Sequence, residues 1–146
     1  MLDFDINKHM LHKPPMLFVD GIIEESGSKA KTLFTVKEDC IFLDETGRLA
    51  RTVFIEIAAQ SFAAVDSYQK HRDKGKRAKG FLVGIRDFFI YADALKNDEL
   101  ICVLEKTDEV GRLNICKAQV LKNGVKLAEG ELRIFEIDAA GNPAES

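Results

Sequence analysis

The sequence contains no tryptophan and only three prolines and three cysteines among its 146 residues. The cysteines, Cys40, Cys102 and Cys116, show no CxxC spacing, and their odd number does not suit a disulfide framework. Reduced and mostly buried thiols are therefore expected. The sequence also lacks a Gly-rich phosphate loop and a cluster of metal ligands, so it predicts no cofactor and no metal site.

A large excess of charge and long apolar runs are absent as well. The net charge is −3, which gives no reason to expect nucleic acid as a partner. No apolar run approaches the ~18 residues that a membrane span needs, and residues 1–5 show no signal-peptide pattern. We therefore expect a cytoplasmic protein without a membrane span. The length predicts one domain over residues 1–146, with a core from about 5 to 137 and a flexible tail from 138 to 146.

The most informative stretch lies in the middle of the chain. Among the thirteen residues from Val53 to Val65, only Glu56, Gln60 and Ser61 are polar. An apolar surface that extends most of the way round indicates a helix covered on nearly all sides. We expect this helix to run from about Val53 to Arg72.

Glu56 and Gln60 are four residues apart, so they share one face of this helix, beside the small residues Ala59 and Ala63. A buried ionised carboxylate is costly unless it is paired, hydrogen-bonded or protonated. Two interpretations remain open. Glu56 is either a structural carboxylate with a backbone or arginine partner, or an acid with a raised pKa that takes part in proton transfer.

The remaining pattern predicts a short helix over residues 5–11, capped by Asp5, and six strands. Asn123-Gly124 is a strong hairpin signal, and Gly130 is expected to mark a bulge. One long helix beside one antiparallel sheet predicts an α+β fold in which the sheet curls around the helix. A second copy joined edge to edge would complete the cover. The predicted strands are Met16–Glu24, Lys29–Val36, Gly80–Ala92, Glu99–Lys106 (with a turn at Asp108–Gly111), Leu113–Leu121 and Val125–Ile137.

This order of elements is typical of the hotdog fold, and three segments resemble one family that has it. The segment His12–Asp20, HKPPMLFVD, resembles the H-x-x-P-F-L-L-V-D opening of the beta-hydroxyacyl-acyl-carrier-protein dehydratases. The segments Ile55–Gln60, IEIAAQ, and Phe81–Asp87, FLVGIRD, resemble the family's I-E-A-x-A-Q helix and F-x-G-I-D strand. The resemblance implies the hotdog fold and the removal of water from 3-hydroxyacyl thioesters on acyl carrier protein.

The sequence departs from this family just before the central helix. The family's catalytic histidine stands fourteen residues before the helix glutamate, and counting back fourteen residues from Glu56 reaches Phe42. The Pro-Gly that opens the family's helix is replaced by Ala50-Arg51. The Phe-Leu-Asp-x-x-Gly-Arg version of this segment resembles a branch of 3-hydroxyacyl-carrier-protein dehydratases linked to aryl-polyene lipid synthesis.

The chemistry implied by this resemblance needs an acid, a base and donors for the thioester oxygen. Glu56 suits the acid. His12 is either a structural imidazole, partly buried and hydrogen-bonded to backbone, or a replacement base. Asp44 is a further candidate base, although a solvated turn carboxylate is the simpler interpretation. The first N–H groups of the helix, near Thr52–Ile55, suit the oxyanion. The residues expected to contact the substrate are Arg51, Thr52, Phe54 and Gln60.

The implied partners are an acyl thioester and acyl carrier protein. The run Lys70–Lys79 has six Lys or Arg against one Asp, and it is either a docking patch for the acidic carrier or a solvated helix end. A homodimer is the default, and a heterodimer with a homologue that supplies the missing histidine is the alternative. Two other functions stay open: a carrier-protein thioesterase and a non-catalytic acyl-binding subunit.

Overall fold

The computed structural model describes residues 1–73 and 79–137. Residues 74–78 of the basic run and the tail from 138 to 146 therefore lie outside the described residues. No helix in the described part is both long enough and apolar enough to cross a membrane. In chain order the elements are α1 (Ile6–His9), β1 (Gly21–Glu25), β2 (Lys29–Thr35), α2 (Thr52–Arg72), β3 (Lys79–Ile90), β4 (Glu99–Val110), β5 (Leu113–Lys122) and β6 (Val125–Ile137).

The six strands form one antiparallel sheet in the order β1-β2-β4-β5-β6-β3. Helix α2 packs on this sheet and contacts every strand. Register shifts interrupt the pairs β1–β2, β3–β6, β4–β5 and β5–β6, and such bulges bend strands and increase their twist. The predicted α+β class, with one long helix against a curved antiparallel sheet, is confirmed.

The first predicted strand is shorter than expected and begins later. Residues 11–20, which we call the strap, contain a turn in which the N–H of Met16 donates to the carbonyl of Lys13 at 2.8 Å, and only Gly21–Glu25 joins the sheet as β1. The reason is that backbone groups of Met16 and Phe18 bond to the Gln60 side chain and not to a strand.

Residues with positive φ angles form the turns of two hairpins. Asn123 and Gly124 have φ angles of 49° and 79°, as a two-residue turn with positive φ requires, which confirms this hairpin. The turn predicted at Asp108–Gly111 is partly wrong, because β4 continues to Val110 and pairs there with Leu113. The chain reverses at Gly111, whose φ is 61°.

Gly130 was expected to mark a bulge, and the β3–β6 ladder does shift its register opposite this residue, although the extra residue is not on β6 itself. Gly130 pairs in regular register with Ala118. The bulge lies on the neighbouring strand β3, where Asp87 and Phe88 together face Gly130. A Cβ atom on residue 130 would lie 2.2 Å from Cδ2 of Phe88, so the glycine leaves room for this ring.

We expect Gly130→Ala to lower the free energy of unfolding by about 1–3 kcal/mol, because the added methyl group overlaps the Phe88 ring. Gly84→Ala is the matched control, since its Cβ would have no neighbour nearer than 4.0 Å. Chemical denaturation of both variants measures the difference. Equal stability of the two would show that Phe88 does not need the glycine.

The buried thiols follow the expectation for two of the three cysteines. Cys102 and Cys116 are 1% and 7% exposed, and Cys40 is half-buried. Burial raises the pKa of Cys102 to about 12 and that of Cys116 to about 11. Both thiols are therefore protonated near neutral pH and unreactive as nucleophiles.

Candidate active site

Helix α2 leaves one strip of its surface open to solvent. Its apolar positions Val53, Phe54, Ile57, Ala58, Ala64 and Val65 are buried. Thr52, Glu56 and Ala63 are exposed. Since each residue turns the helix by ~100°, these three lie within an arc of roughly 40°. The single chain therefore leaves one strip of α2 uncovered, as the expectation that a second copy completes the cover requires.

The open strip lies between the strap and the edge strand β3. On one side, Gln60 holds the strap through its side-chain amide. On the other side, a Cβ atom on Gly80 of β3 would lie 3.0 Å from Phe62 Cζ and 3.6 Å from Asp66 Oδ1. Glu56 thus lies on an exposed strip of α2, which we call the groove, between the strap at Gln60 and β3 at Phe62 and Asp66.

Gln60 is the best-defined polar group of this groove. Its side chain is buried, with 1% of the residue exposed. Its Oε1 accepts a hydrogen bond of 2.7 Å from the N–H of Phe18, and its Nε2 donates to the carbonyl of Met16 at 3.0 Å. The same Nε2 lies 3.3 Å from Oε2 of Glu56. Gln60 therefore fixes the strap to α2 and orients the Glu56 carboxyl group.

Glu56 itself is exposed, so the expectation of a buried carboxyl group is wrong for the single chain. The cause is the position of the helix face rather than a change in the helix. The sheet covers the opposite face, and the strap reaches only as far as Gln60. Glu56 is therefore accessible to a ligand or to a second chain, and this chain alone does not exclude water from its carboxyl group.

The other residues expected to contact the substrate lie in different surroundings. Thr52 is exposed on the open strip, as the expected contact requires. Phe54 is fully buried in the core, because it stands about 160° around the helix from Glu56 and faces the sheet. Arg51, the residue before α2, is exposed, and its Nε donates to Oδ1 of Asp93 at 2.8 Å.

Sequence reasoning missed a charged network at the start of α2. The hydrogen bond from Arg51 lowers the pKa of Asp93, and Arg48 lies 4.0 Å from the same carboxylate. Asp93 is 42 residues from Arg51 along the chain, and no local motif marks it. This network fixes the loop that leads into α2.

Asp44 belongs to this loop and does not suit the role of a base. Its carboxylate accepts hydrogen bonds from the hydroxyl of Thr46 and from the N–H and guanidinium of Arg48. The bond from the Thr46 hydroxyl and the backbone N–H of Arg48 lower the pKa of Asp44 to about 2. A general base works best with a pKa near the operating pH, so Asp44 is a structural turn residue.

His12 is exposed on the strap, and its imidazole forms no hydrogen bond to any residue within 1–73 and 79–137. The expectation of a partly buried, backbone-bonded imidazole is therefore wrong. His12 precedes Met16, which Gln60 holds, by four residues, a distance of at most ~14 Å of chain. Phe42, which stands where the family has its histidine, is half-buried and packs its edge against Phe18 with the ring centroids 5.5 Å apart.

A cavity beside the strap does not contain Glu56. It has a volume of ≈ 520 Å³ and lies between the strap and β2. Leu17, Phe18, Phe34 and Cys40 form its apolar walls, and Asp20 and Lys37 lie at its polar side. Asp20 and Lys37 are paired with each other at 2.9 Å. Asp39 also lines this cavity. We assign the candidate site to the groove around Glu56, because the glutamate that matches the I-E-A-x-A-Q helix motif lies there and does not line the cavity.

Solved structures confirm the hotdog architecture. The dehydratase heterocomplex ApeI:P from Xenorhabdus doucetiae is similar with a TM-score of 0.80 and 18% identity, over 94% of this chain and 94% of that chain. The PaaI protein of the E. coli phenylacetic acid degradation operon has a TM-score of 0.65 and 12% identity, over 80% and 78% of the two chains. A hypothetical thioesterase from Streptococcus pneumoniae with coenzyme A has a TM-score of 0.65 and 11% identity, over 84% and 87%. At these identities the likeness shows the fold alone.

A comparison of the sequence with family models identifies the family. No curated protein matches the chain significantly. A family model does match: that of the ApeP-like proteins, described as ApeP dehydratase, aligns with residues 4–144. This match covers nearly the whole chain and includes the strap, the glutamate of α2 and the edge strand. The protein therefore belongs to the ApeP-like dehydratase family.

Proposed function

We propose that the protein acts as a dehydratase on 3-hydroxyacyl thioesters carried by acyl carrier protein, with Glu56 as its general acid. The observation that carries this proposal is the open groove in which Gln60, at 3.3 Å, orients the Glu56 carboxyl group. A thioester that enters the groove brings its 3-hydroxyl group to an acid already held in place. Covering the groove would exclude water from the reacting groups.

In this reaction a base takes a proton from the carbon next to the carbonyl, and Glu56 protonates the departing hydroxyl group. The products are an enoyl thioester and water. The negative charge that grows on the thioester oxygen needs N–H donors. Within the described residues, the N–H groups of Arg51 and Thr52 have no backbone acceptor, whereas Val53 and Phe54 already donate to Ala50 and Arg51. We therefore assign the oxyanion donors to Arg51 and Thr52.

The groove becomes a closed site when a second hotdog chain covers it. Strand β3 is at the edge of the sheet, twelve residues long, next to the open strip. Its apolar side chains Phe81, Leu82, Val83 and Phe89 are 37–61% exposed. A long apolar edge strand is a template for pairing with another chain. A second chain paired with β3 would also lie over the open strip of α2.

We expect Val83→Lys to prevent this pairing and to yield a monomer, because a charged side chain on an edge strand opposes edge-to-edge association. Val110→Lys is the matched control, since Val110 is 62% exposed, against 61% for Val83, and lies at the end of β4. Analytical ultracentrifugation of both variants, alone and with a co-expressed homologue, measures the assembly. A dimer that survives Val83→Lys and is lost with Val110→Lys would place the interface elsewhere.

The second chain can be an identical copy or a homologue, and the two arrangements differ in which residue supplies the base. With an identical copy, His12 of this chain is the provisional base, since it stands four residues before Met16, which Gln60 holds. With a homologue, a histidine of the partner supplies the base that Phe42 cannot provide. The likeness to a dehydratase heterocomplex supports the second arrangement.

The carrier protein is the expected bearer of the substrate. Of the cations of the basic run that lie in the described part, Lys70 pairs with Asp66 at 3.3 Å and Arg72 pairs with Glu25 at 2.5 Å. These two charges are already neutralised. Docking of an acidic carrier by this run would therefore depend on Lys74, Lys76, Arg77 and Lys79, whose side chains lie outside the part of the chain that the structure describes.

Product analysis tests the proposal. The protein, alone and with a co-expressed hotdog homologue, is incubated with 3-hydroxyacyl and with enoyl carrier-protein thioesters, and intact-protein mass spectrometry follows the acyl group. Loss or gain of 18 mass units, about one water, is the expected result for acid–base elimination. Release of free carrier thiol would instead indicate a thioesterase. Binding without any change of mass would indicate a non-catalytic acyl-binding subunit.

A further inference from the structure

The protein has a second cavity beneath the C-terminal half of α2. Its volume is ≈ 340 Å³, within the range of small-molecule sites of about 300–1,000 Å³. The helix contributes Phe62, Val65, Asp66 and Gln69 to the lining, and Glu56 does not take part. Because these residues follow Glu56 by six to thirteen positions, they lie roughly 9–20 Å from it along the helix axis. The cavity is therefore separate from the candidate active site.

The floor of this cavity is apolar. The buried side chains of Ala30, Leu104 and Ile134, together with Phe62 and Val65, line it on the sheet and helix sides. Cys116 also lines it, but burial raises the pKa of its thiol to about 11. The thiol therefore stays protonated near neutral pH, and covalent attachment of a ligand there is disfavoured. An apolar body held without a covalent bond fits this floor.

Asn114 is the polar group that gives the cavity its chemical preference. It lines the cavity and is only 7% exposed. Its Nδ2 donates to Oε1 of Glu136 at 2.7 Å, and since a carboxylate oxygen only accepts, this bond determines which end of the amide is which. The other end, Oδ1, has no hydrogen-bond partner among the residues that the structure describes. A buried acceptor without a partner is unfavourable, so the site favours a ligand that donates a hydrogen bond.

The charges around the cavity do not favour an anion. Three cations and two carboxylates line it. The cations and Asp66 each have a partner of opposite sign, and Glu136 accepts the hydrogen bond from Asn114 Nδ2, so no unpaired cation is left to attract an anion strongly. A neutral donor, such as a hydroxyl group, satisfies Asn114 Oδ1 without adding an unpaired charge. The pairs are Arg72–Glu25, Lys29–Glu105, Lys106–Glu109 and Asp66–Lys70.

We propose that this cavity is a second binding site, which takes a small apolar molecule with one neutral hydroxyl group, such as an alicyclic or aromatic alcohol. The hydroxyl group donates to Asn114 Oδ1, and the apolar body packs on Phe62, Val65 and Leu104. The site does not depend on the dehydratase chemistry proposed for the groove around Glu56.

Cyclohexanol and cyclohexanone test this proposal on the full chain, because the two molecules have nearly the same shape and only the alcohol donates. Titration of the ¹⁵N-labelled protein is expected to shift the amide signals of residues that line the cavity, including Asn114. The alcohol is expected to bind about tenfold more tightly than the ketone, a difference of ~1.4 kcal/mol. This comparison needs no variant and is independent of folding defects.

Two variants sharpen the test. Asn114→Leu keeps the size of the side chain and removes the acceptor, so it is expected to lower the affinity for cyclohexanol about tenfold and to leave that for cyclohexanone unchanged. Ala30→Leu fills the floor without touching Asn114, and is expected to weaken both ligands. Equal binding of alcohol and ketone by the unmodified protein, or shifts only at residues away from the cavity, would overturn the proposal. In that case the cavity is occupied by water only.

Discussion

Glu56→Gln is expected to reduce the dehydration rate by a factor of roughly 10²–10⁴, the usual contribution of a positioned general acid. The amide keeps the shape of the carboxyl group and can still meet Gln60, but it cannot give a proton to the departing hydroxyl group. Since Glu56 is exposed in the single chain, its loss should leave the free energy of unfolding nearly unchanged. The measurement is the rate of enoyl thioester formation, with the melting temperature as the check on folding.

Glu45→Gln is the matched control, because Glu45 is an exposed carboxylate of the loop before α2 and lies outside the proposed chemistry. Its rate should equal that of the unmodified protein. His12→Ala in the same assay separates the two candidate bases. A loss of rate comparable to that of Glu56→Gln assigns the base to the strap, and an unchanged rate assigns it to a homologous partner. An active Glu56→Gln variant would remove Glu56 from the mechanism.

Gln60→Leu is expected to lower the free energy of unfolding by about 2–4 kcal/mol, because the buried N–H of Phe18 and the carbonyl of Met16 each lose their partner. The same change frees the strap from α2 and removes the group that orients Glu56. Dehydration should therefore fall as well, in a variant whose helix is otherwise intact. Urea denaturation measures the stability, and the thioester assay measures the rate.

Gln60→Glu gives a graded comparison. An ionised carboxylate still accepts from the N–H of Phe18, but it cannot donate to Met16 or to Glu56. The loss of the donor alone would give an effect on stability smaller than that of Gln60→Leu, but burial of the charge adds a cost of its own. Gln119→Leu, at a half-buried position on β5, is the neutral control. It should change the stability by less than about 0.5 kcal/mol. A Gln60→Leu variant as stable as Gln119→Leu would show that the strap is held by other contacts.

The groove joins two of the segments that carry the resemblance to the dehydratases. Glu56 and Gln60 occupy successive turns of α2, and the strap that Gln60 binds brings His12 within a short length of chain of the groove. Phe42 packs its aromatic ring on Phe18. In the function that we propose, Phe42 stands at the position where the resemblance expects a histidine, Glu56 is the acid and Gln60 is the amide that orients it.

The sequence by itself determined the parts of the protein that depend on neighbouring residues. The period of apolar residues placed the central helix at Val53–Arg72, within one residue of α2 (Thr52–Arg72). Asn123-Gly124 determined a hairpin, because both residues adopt positive φ angles easily and a tight two-residue hairpin turn requires them. The pairing of Glu56 with Gln60 followed from a spacing of one helical turn.

Only the tertiary structure decided the features that depend on distant segments. Gln60 binds the strap 42 and 44 residues away, and Arg51 binds Asp93 at a separation of 42, contacts that no local pattern specifies. The exposure of Glu56 depends on strand order as well. Strand β3 follows α2 in sequence but pairs only with β6 at the edge of the sheet, which leaves one helix face uncovered. A helix pattern shows which residues avoid water, whereas the order of strands decides whether this chain or a second one covers them.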